Sequence, residues 1–307
     1  MMKIWNNKEA PNEGPYAVAI GSYDGVHKGH QEIIRETSEK AEKSLLITFS
    51  PHPNQHFNKD GFRELTSLME KLEILNGTDL TDLWILRFDD SLASLEPEEF
   101  LTILLGQVNA SSVSVGRDFR FGKGRKGGIP DLEKWAKGSG ASLHVFDDIE
   151  EMGQKVSSSL VREKVANGEM EEANRLLGRK YSISGNVVKG SGRGEGIGFP
   201  TANISLGEAG KFKQMPASGV YSAEVMINRK TYRAAVNYGT RKTFKETEMH
   251  LEAHVIDFKK TIYNQKVTLF LEKKIREEVE FENIEELRLQ LGRDVELCRG
   301  NGGNYEY

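Results

Sequence analysis

At 307 residues and 34.5 kDa the chain exceeds what one hydrophobic core usually supports, and 37% hydrophobic with 29% charged residues excludes a disordered chain. A formal charge of -4 and a pI near 6.1 leave no basic surplus for wholesale binding of nucleic acid or of an anionic membrane. The lone Cys298 excludes an internal disulfide and a cysteine-rich metal site, and the N-terminus lacks the apolar stretch of a secretion signal, so the chain reads as cytoplasmic.

Residues 16–20 form a short apolar run that predicts a strand, followed by a glycine-bounded turn over 21–25 and a helical pattern over 27–43. A second strand over 44–49 ends at Pro51-His52-Pro53 and completes a βαβ unit. The alternation continues with strands over 83–87, 112–115 and 142–146 and helices over 97–105 and 131–137. This pattern predicts a doubly wound, Rossmann-like α/β domain whose site lies at the carboxyl ends of its strands. A helical stretch over 159–177 follows.

Beyond Tyr181 the strand patterns succeed one another without helices, over 181–188, 219–227, 230–238, 250–258 and 267–275. They predict a small antiparallel β-barrel closed by a final helix over 284–299. The expected domains are therefore 1–180 and 181–307. No oligomeric state is specified.

The first candidate site lies between the first strand and helix, in Gly21-Ser22-Tyr23-Asp24-Gly25-Val26-His27-Lys28-Gly29-His30. Glycines permit a tight turn, and a helix start offers unpaired N–H groups and a positive dipole end to an anion. His27 and His30, three apart on the expected first turn, can share one face and donate hydrogen bonds to phosphate oxygens. His52, at the end of the adjacent strand, is placed to line the same pocket. Zinc is disfavoured, because no third or fourth ligand stands at ligand spacing. Ser157, Ser158 and Ser159 read as a helix cap, and capping and phosphate binding use the same N–H-rich end.

Four segments in order, 21–31, 48–53, 115–122 and 156–162, resemble those of the prokaryotic FAD synthetase family, the bifunctional riboflavin kinases/FMN adenylyltransferases. The resemblance implies a nucleotidyltransferase domain in which His27 and His30 stabilise the transition state of adenylyl transfer. It implies ATP contacts at Gly21, Asp24, Gly29, Ser157, Ser158 and Ser159, with Arg162 the principal positive charge. Flavin contacts fall to His52, Pro53, Asp118 and Arg120.

The resemblance extends to 185–203, where Phe199-Pro200-Thr201-Ala202-Asn203 matches the kinase signature. It implies ATP contacts at Gly190, Gly198 and Thr201, with Mg²⁺ held by Thr201 and Asn203, whose oxygens suit a hard cation. Glu252 becomes the proton acceptor for the ribityl hydroxyl. Substrates and products would be riboflavin, FMN, FAD and ATP. Two departures bear on the kinase: Glu195 and Lys242 stand where the family carries arginine and proline, and Glu195 brings a negative charge to a phosphate loop. A third, Asn264 for a turn glycine, is mild. Two other readings stay open: an adenylyltransferase with an impaired kinase, and a non-catalytic flavin or nucleotide sensor.

Overall fold

The computed structural model describes every residue except 1, 7–9, 59–60, 191, 241–248 and 301–307, and leaves out the side chains of residues 193 and 195. Lys242 therefore lies outside the described residues, as does the Glu195 side chain. In chain order the strands and helices are β1 (Lys3–Asn6), β2 (Tyr16–Ile20), α1 (Lys28–Glu39), β3 (Ser44–Ser50), α2 (Pro53–Phe57), α3 (Leu68–Leu75), β4 (Asp82–Arg87), α4 (Asp90–Ala93), α5 (Pro97–Leu104), β5 (Ala110–Gly116), α6 (Ile129–Ser139), β6 (Ser142–Phe146), β7 (Glu150–Glu151), β8 (Gln154–Lys155), α7 (Ser158–Asn167), α8 (Met170–Leu177), β9 (Tyr181–Val188), α9 (Arg193–Gly196), β10 (Ala202–Ser205), β11 (Gly219–Ile227), β12 (Lys230–Gly239), β13 (His250–Val255), β14 (Lys266–Arg276) and α10 (Ile284–Arg299). No described helix is long and apolar enough to cross a membrane.

The chain forms two compact units, Met1–Ser158 and Ser159–Tyr307. In the first, a parallel sheet has the order β1-β4-β3-β2-β5-β6. Successive strand residues point to opposite faces, which gives two cores. Val18, Ile47 and Trp84 join Phe100 and Leu104 of α5 on one face, while Ala19, Leu46 and Leu83 join Ile33 and Ile34 of α1 on the other. This is the doubly wound arrangement that the alternation predicts. Because β3 flanks β2 on one side and β5 on the other, the strand order reverses at the carboxyl end of β2, where such sheets bind ligands.

The second unit contains a closed antiparallel barrel, β10-β13-β12-β11-β14-β9. Alternate residues such as Ile183, Ala223, Val236, Ala253 and Leu269 are 0–1% exposed and fill it. Helix α10 covers part of the outside, where Val295 and Cys298 pack with Ile256, Phe199 and Ala235. Its end is pinned by Arg233, which donates from Nε to the Cys298 carbonyl (3.0 Å) and from Nη1 and Nη2 to the Glu272 carboxylate (2.7 and 2.8 Å). A cation at a helix C-terminus is favourable in itself. Lys180 also meets Glu272, at 2.8 Å.

Three differences from the sequence expectations have physical causes. The first helix stops at Glu39, four residues early, because Lys40 caps it and residues 40–43 lead directly into β3. The expected strand over 250–258 ends at Val255, since Asp257 turns with φ +58°. The helical stretch before Tyr181 is two helices, and both fall largely in the second compact unit, which begins at Ser159. Asn174 of α8 accounts for this: its Nδ2 donates to Leu271 O (2.9 Å) and its Oδ1 accepts from Tyr181 N (2.7 Å). Each such buried bond contributes about 1 kcal/mol.

Candidate active site

The buried strand β2 delivers the chain to the turn before α1. There Tyr23 and Val26 take φ +49° and +41°, a region a β-branched residue occupies only under constraint. Asp24, 1% exposed, supplies part of that constraint by accepting from Leu65 N (2.9 Å) and Thr66 N (3.2 Å). Thr66 Oγ1 accepts from Gly25 N at 3.2 Å. The Ser22 carbonyl accepts from Thr48 Oγ1 (3.1 Å) and from Lys71 Nζ (2.7 Å). Burial pulls the Lys71 ammonium below its ordinary pKa, while Asp24 and Glu64 oppose that shift.

His27 is the N-cap of α1 and not a residue of its first turn. Its Nδ1 accepts from His30 N at 3.4 Å, which leaves Nε2 to carry the ring proton. The His27 and His30 rings stack at 3.7 Å with a 16° interplanar angle, and Tyr23 lies 4.9 Å from His30. A Cβ on Gly29 would stand 3.3 Å from Cε1 and Nδ1 of His27, so glycine is what admits the capping ring against the helix. Gly21 ends the strand segment beside the Tyr23 ring.

Ser158, the last residue of the first unit, donates from Oγ to Asp24 O of the same turn at 2.8 Å. Ser157 precedes it, half-buried. Ser159 and Arg162 belong to the second unit, where Arg162 Nη1 donates to Ser159 Oγ at 3.5 Å.

The other expected residues stand at the ends of neighbouring strands. His52 follows β3 and caps α2, accepting from Asn54 N at 3.0 Å, with its ring stacked 4.4 Å from Phe62 and Pro53 opening the helix. Asp118 and Arg120 follow β5. The Lys155 ammonium pairs with Asp118 and holds its carboxyl below the usual range, and Arg120 Nη1 reaches Phe119 O at 3.4 Å. Since β3, β2 and β5 are consecutive in the sheet, the three loops leave it at one edge.

In the second unit a cavity of about 160 Å³ lies against the outside of the barrel, bounded by α10 and the 192–201 loop. Its polar lining includes Thr201, Asn203, Asn237 and Glu252; its apolar lining includes Phe199 and Leu291. Along β13, Leu251, Ala253 and Val255 fill the barrel, so Glu252 and His254 point the other way. Asn203 pairs with Glu252 across β10–β13, and Asn237 pairs with Glu252 across β12–β13. A Cβ on Gly190 would fall 2.0 Å from Asn203 Nδ2, so the loop backbone approaches that amide as only glycine can. Gly198 has φ +87°. The His254 ring Nδ1 lies 2.8 Å from Pro200 O, which fixes the loop next to Thr201.

The sequence reasoning did not find Thr66, Lys71, Asn237 or the Arg276–Asp294 pair. Arg276 and Asp294 both line the cavity and meet at 2.7 Å. A signal existed for the first two: Ser67-x-x-Glu70 is a capping box that announces α3 and places Lys71 on its first turn.

Residues 9–160 match the family model for FAD synthetase and residues 177–301 that for riboflavin kinase. The bifunctional riboflavin kinase/FMN adenylyltransferase of Escherichia coli K12 is 35% identical over 303 residues, covering 96% of this chain and 95% of that one. The protein of the same description from Bacillus subtilis is 32% identical, covering 90% and 89%. A crystal structure of a Streptococcus pneumoniae protein described as a macrolide-efflux protein superposes with a TM-score of 0.87 at 30% identity, covering 98% of this chain and all of that one. With its two modules in the same order as these relatives, the chain belongs to the bifunctional riboflavin kinase/FMN adenylyltransferase family.

Proposed function

We propose that this protein phosphorylates riboflavin to FMN at the barrel and adenylylates FMN to FAD at the two-histidine site, using Mg-ATP in the cytoplasm. The stacked His27–His30 pair at the N-terminus of α1, at the point where the strand order reverses, is the observation that carries the reading. The domain assignment goes with it: an adenylyltransferase over 1–180 and a kinase over 181–307, with most of the α7–α8 pair between the two matched segments.

In adenylyl transfer an FMN phosphate oxygen attacks the α-phosphorus of ATP and pyrophosphate leaves. The nucleophile is already anionic, so no protein base is required. The protein's task is to position the reactants and to stabilise charge on the α-phosphate. His27 does so from Nε2–H, held in that tautomer by the cap bond at Nδ1. His30 acts beside it, with α1 offering its N-terminal end to phosphates. Arg162, Ser157 and Ser159 serve the triphosphate, and His52, Pro53, Asp118 and Arg120 the flavin.

In the kinase, Glu252 takes the proton of the ribityl hydroxyl as that oxygen attacks the γ-phosphorus and ADP leaves. The lining fits a hard divalent cation: Thr201 and Asn203 bring neutral oxygens to the cavity that holds Glu252. No described cluster of three His, Cys, Asp or Glu could hold a metal, so Thr201 and Asn203 would share Mg²⁺ with ATP phosphates. When bound, Mg²⁺ neutralises charge on the transferring phosphoryl group.

Incubation with Mg-ATP and either riboflavin or FMN, followed by chromatography of the flavins, tests the reading. FMN and FAD from riboflavin, with FAD from FMN, is the expected result. FAD from FMN alone would assign a disabled kinase to Glu195 and Lys242, and no product from either would leave a sensor.

A further inference from the structure

The turn that carries His27 is built against its own preferences. Tyr23, Gly25 and Val26 are left-handed at φ +49°, +80° and +41°, and a valine has no intrinsic reason to stay there. Such backbone persists only where its surroundings over-determine it. Much of that surrounding comes from one short stretch at the start of α3. Leu65 N and Thr66 N hold the Asp24 carboxylate, Thr66 Oγ1 holds Gly25 N, and Lys71 Nζ holds Ser22 O. The stretch is itself fixed by the reciprocal Ser67–Glu70 capping box.

Thr66 is 2% and Lys71 4% exposed. Burying an ammonium is unfavourable even where carboxylates such as Asp24 and Glu64 offset part of the cost, and this one donates to a backbone carbonyl at the foot of the turn. A lysine kept there for stability alone would be a poor choice, since an apolar side chain of similar volume fills such a site at less cost.

We propose that Lys71 and Thr66 are positioning residues of the two-histidine site, holding the 22–26 turn left-handed and thereby setting where the His27 and His30 rings stand. The inference deepens the adenylyl-transfer reading and rests on it. His27 follows Val26 directly, so relaxation of Val26 swings the N-cap ring and breaks its stack on His30. Displacement of a reacting group by ~1 Å lowers a rate by on the order of 10²-fold.

Lys71→Met and Thr66→Val test this, each removing a hydrogen bond at nearly constant volume, and both activities are assayed on the same purified chain. The expected result is a kcat for FAD formation from FMN lowered roughly tenfold or more, with KM values and riboflavin phosphorylation little changed. Unaltered kcat, a loss confined to KM, or a parallel loss of both activities overturns the proposal. Should Lys71→Met fail to fold, Thr66→Val decides alone. A crystal structure of either variant gives a readout that needs no turnover: Val26 relaxed to negative φ with the stack opened supports the role, and an unchanged turn overturns it. Wild-type protein that makes no FAD would remove the adenylyl-transfer reading, and the structural readout would still decide what holds the turn.

Discussion

Asn203 and Glu252 stand opposite one another in the β10–β13 ladder, so their side chains share one face of the barrel and one cavity. This juxtaposition places an amide oxygen suited to a cation beside a carboxylate suited to a proton. Glu252→Ala should therefore lower riboflavin phosphorylation by ~10²-fold or more while leaving FAD formation from supplied FMN intact. Flavin chromatography with each substrate checks it, and normal riboflavin turnover would remove the carboxylate from the mechanism.

At the other site, His30→Ala should suppress FAD formation by ~10²-fold or more and spare FMN formation from riboflavin. The stack with His27 is lost as well, so the effect should appear in kcat. Undiminished FAD synthesis would show that the histidine pair has no part in the chemistry.

Glu272 offers a pH test. Burial raises its pKa, but hydrogen bonds from Arg233, Lys180 and Ser222 outweigh that, and the net direction is downward. A carboxyl with a lowered folded-state pKa adds stability that is present above its unfolded pKa and lost as pH falls through the folded one. Melting temperature should thus decline on acidification below the usual carboxylate range. Glu272→Gln should lower stability at neutral pH, by ~3 kcal/mol where two cations lose a buried partner, and flatten the acid decline. A variant with the wild-type acid profile would argue against this ion cluster.

Cys298 is fully buried, and burial pushes its thiol up to about 11. The folded protein should resist thiol reagents at neutral pH and react at once in denaturant. Rapid labelling of native protein would mean that the end of α10 opens readily.

The parallel half of the fold was legible because βα alternation is a period switch that needs no tertiary information. Strand β1 was not, since Lys3–Asn6 is four residues at a sheet edge with too little pattern to register. His27 and His30 could be read as a pair, but their division of labour could not: that His27 is the cap follows from its extended φ/ψ of −70° and 172°, which spacing does not encode. The capping box marks the helix that carries Lys71, but the partnership of Lys71 and Thr66 with the turn was not legible, for a related reason. They act 40 or more residues away through backbone atoms of the turn, and no property of their own types marks that partnership. The Arg276–Asp294 pair joins a strand end to α10 and becomes meaningful only once the helix is docked.

The barrel closes by pairing its earliest strand with its latest: Ser182 of β9 lies against Phe270 of β14, while β9 also flanks β10. Ring closure therefore waits on contacts between residues nearly a domain apart in sequence, which places it late in folding. A fragment that begins after Val188 would expose β10 and β14 as raw edges, ready to recruit strands from other chains. Any excised kinase module should therefore retain β9, with the α8 asparagine that anchors its first residue.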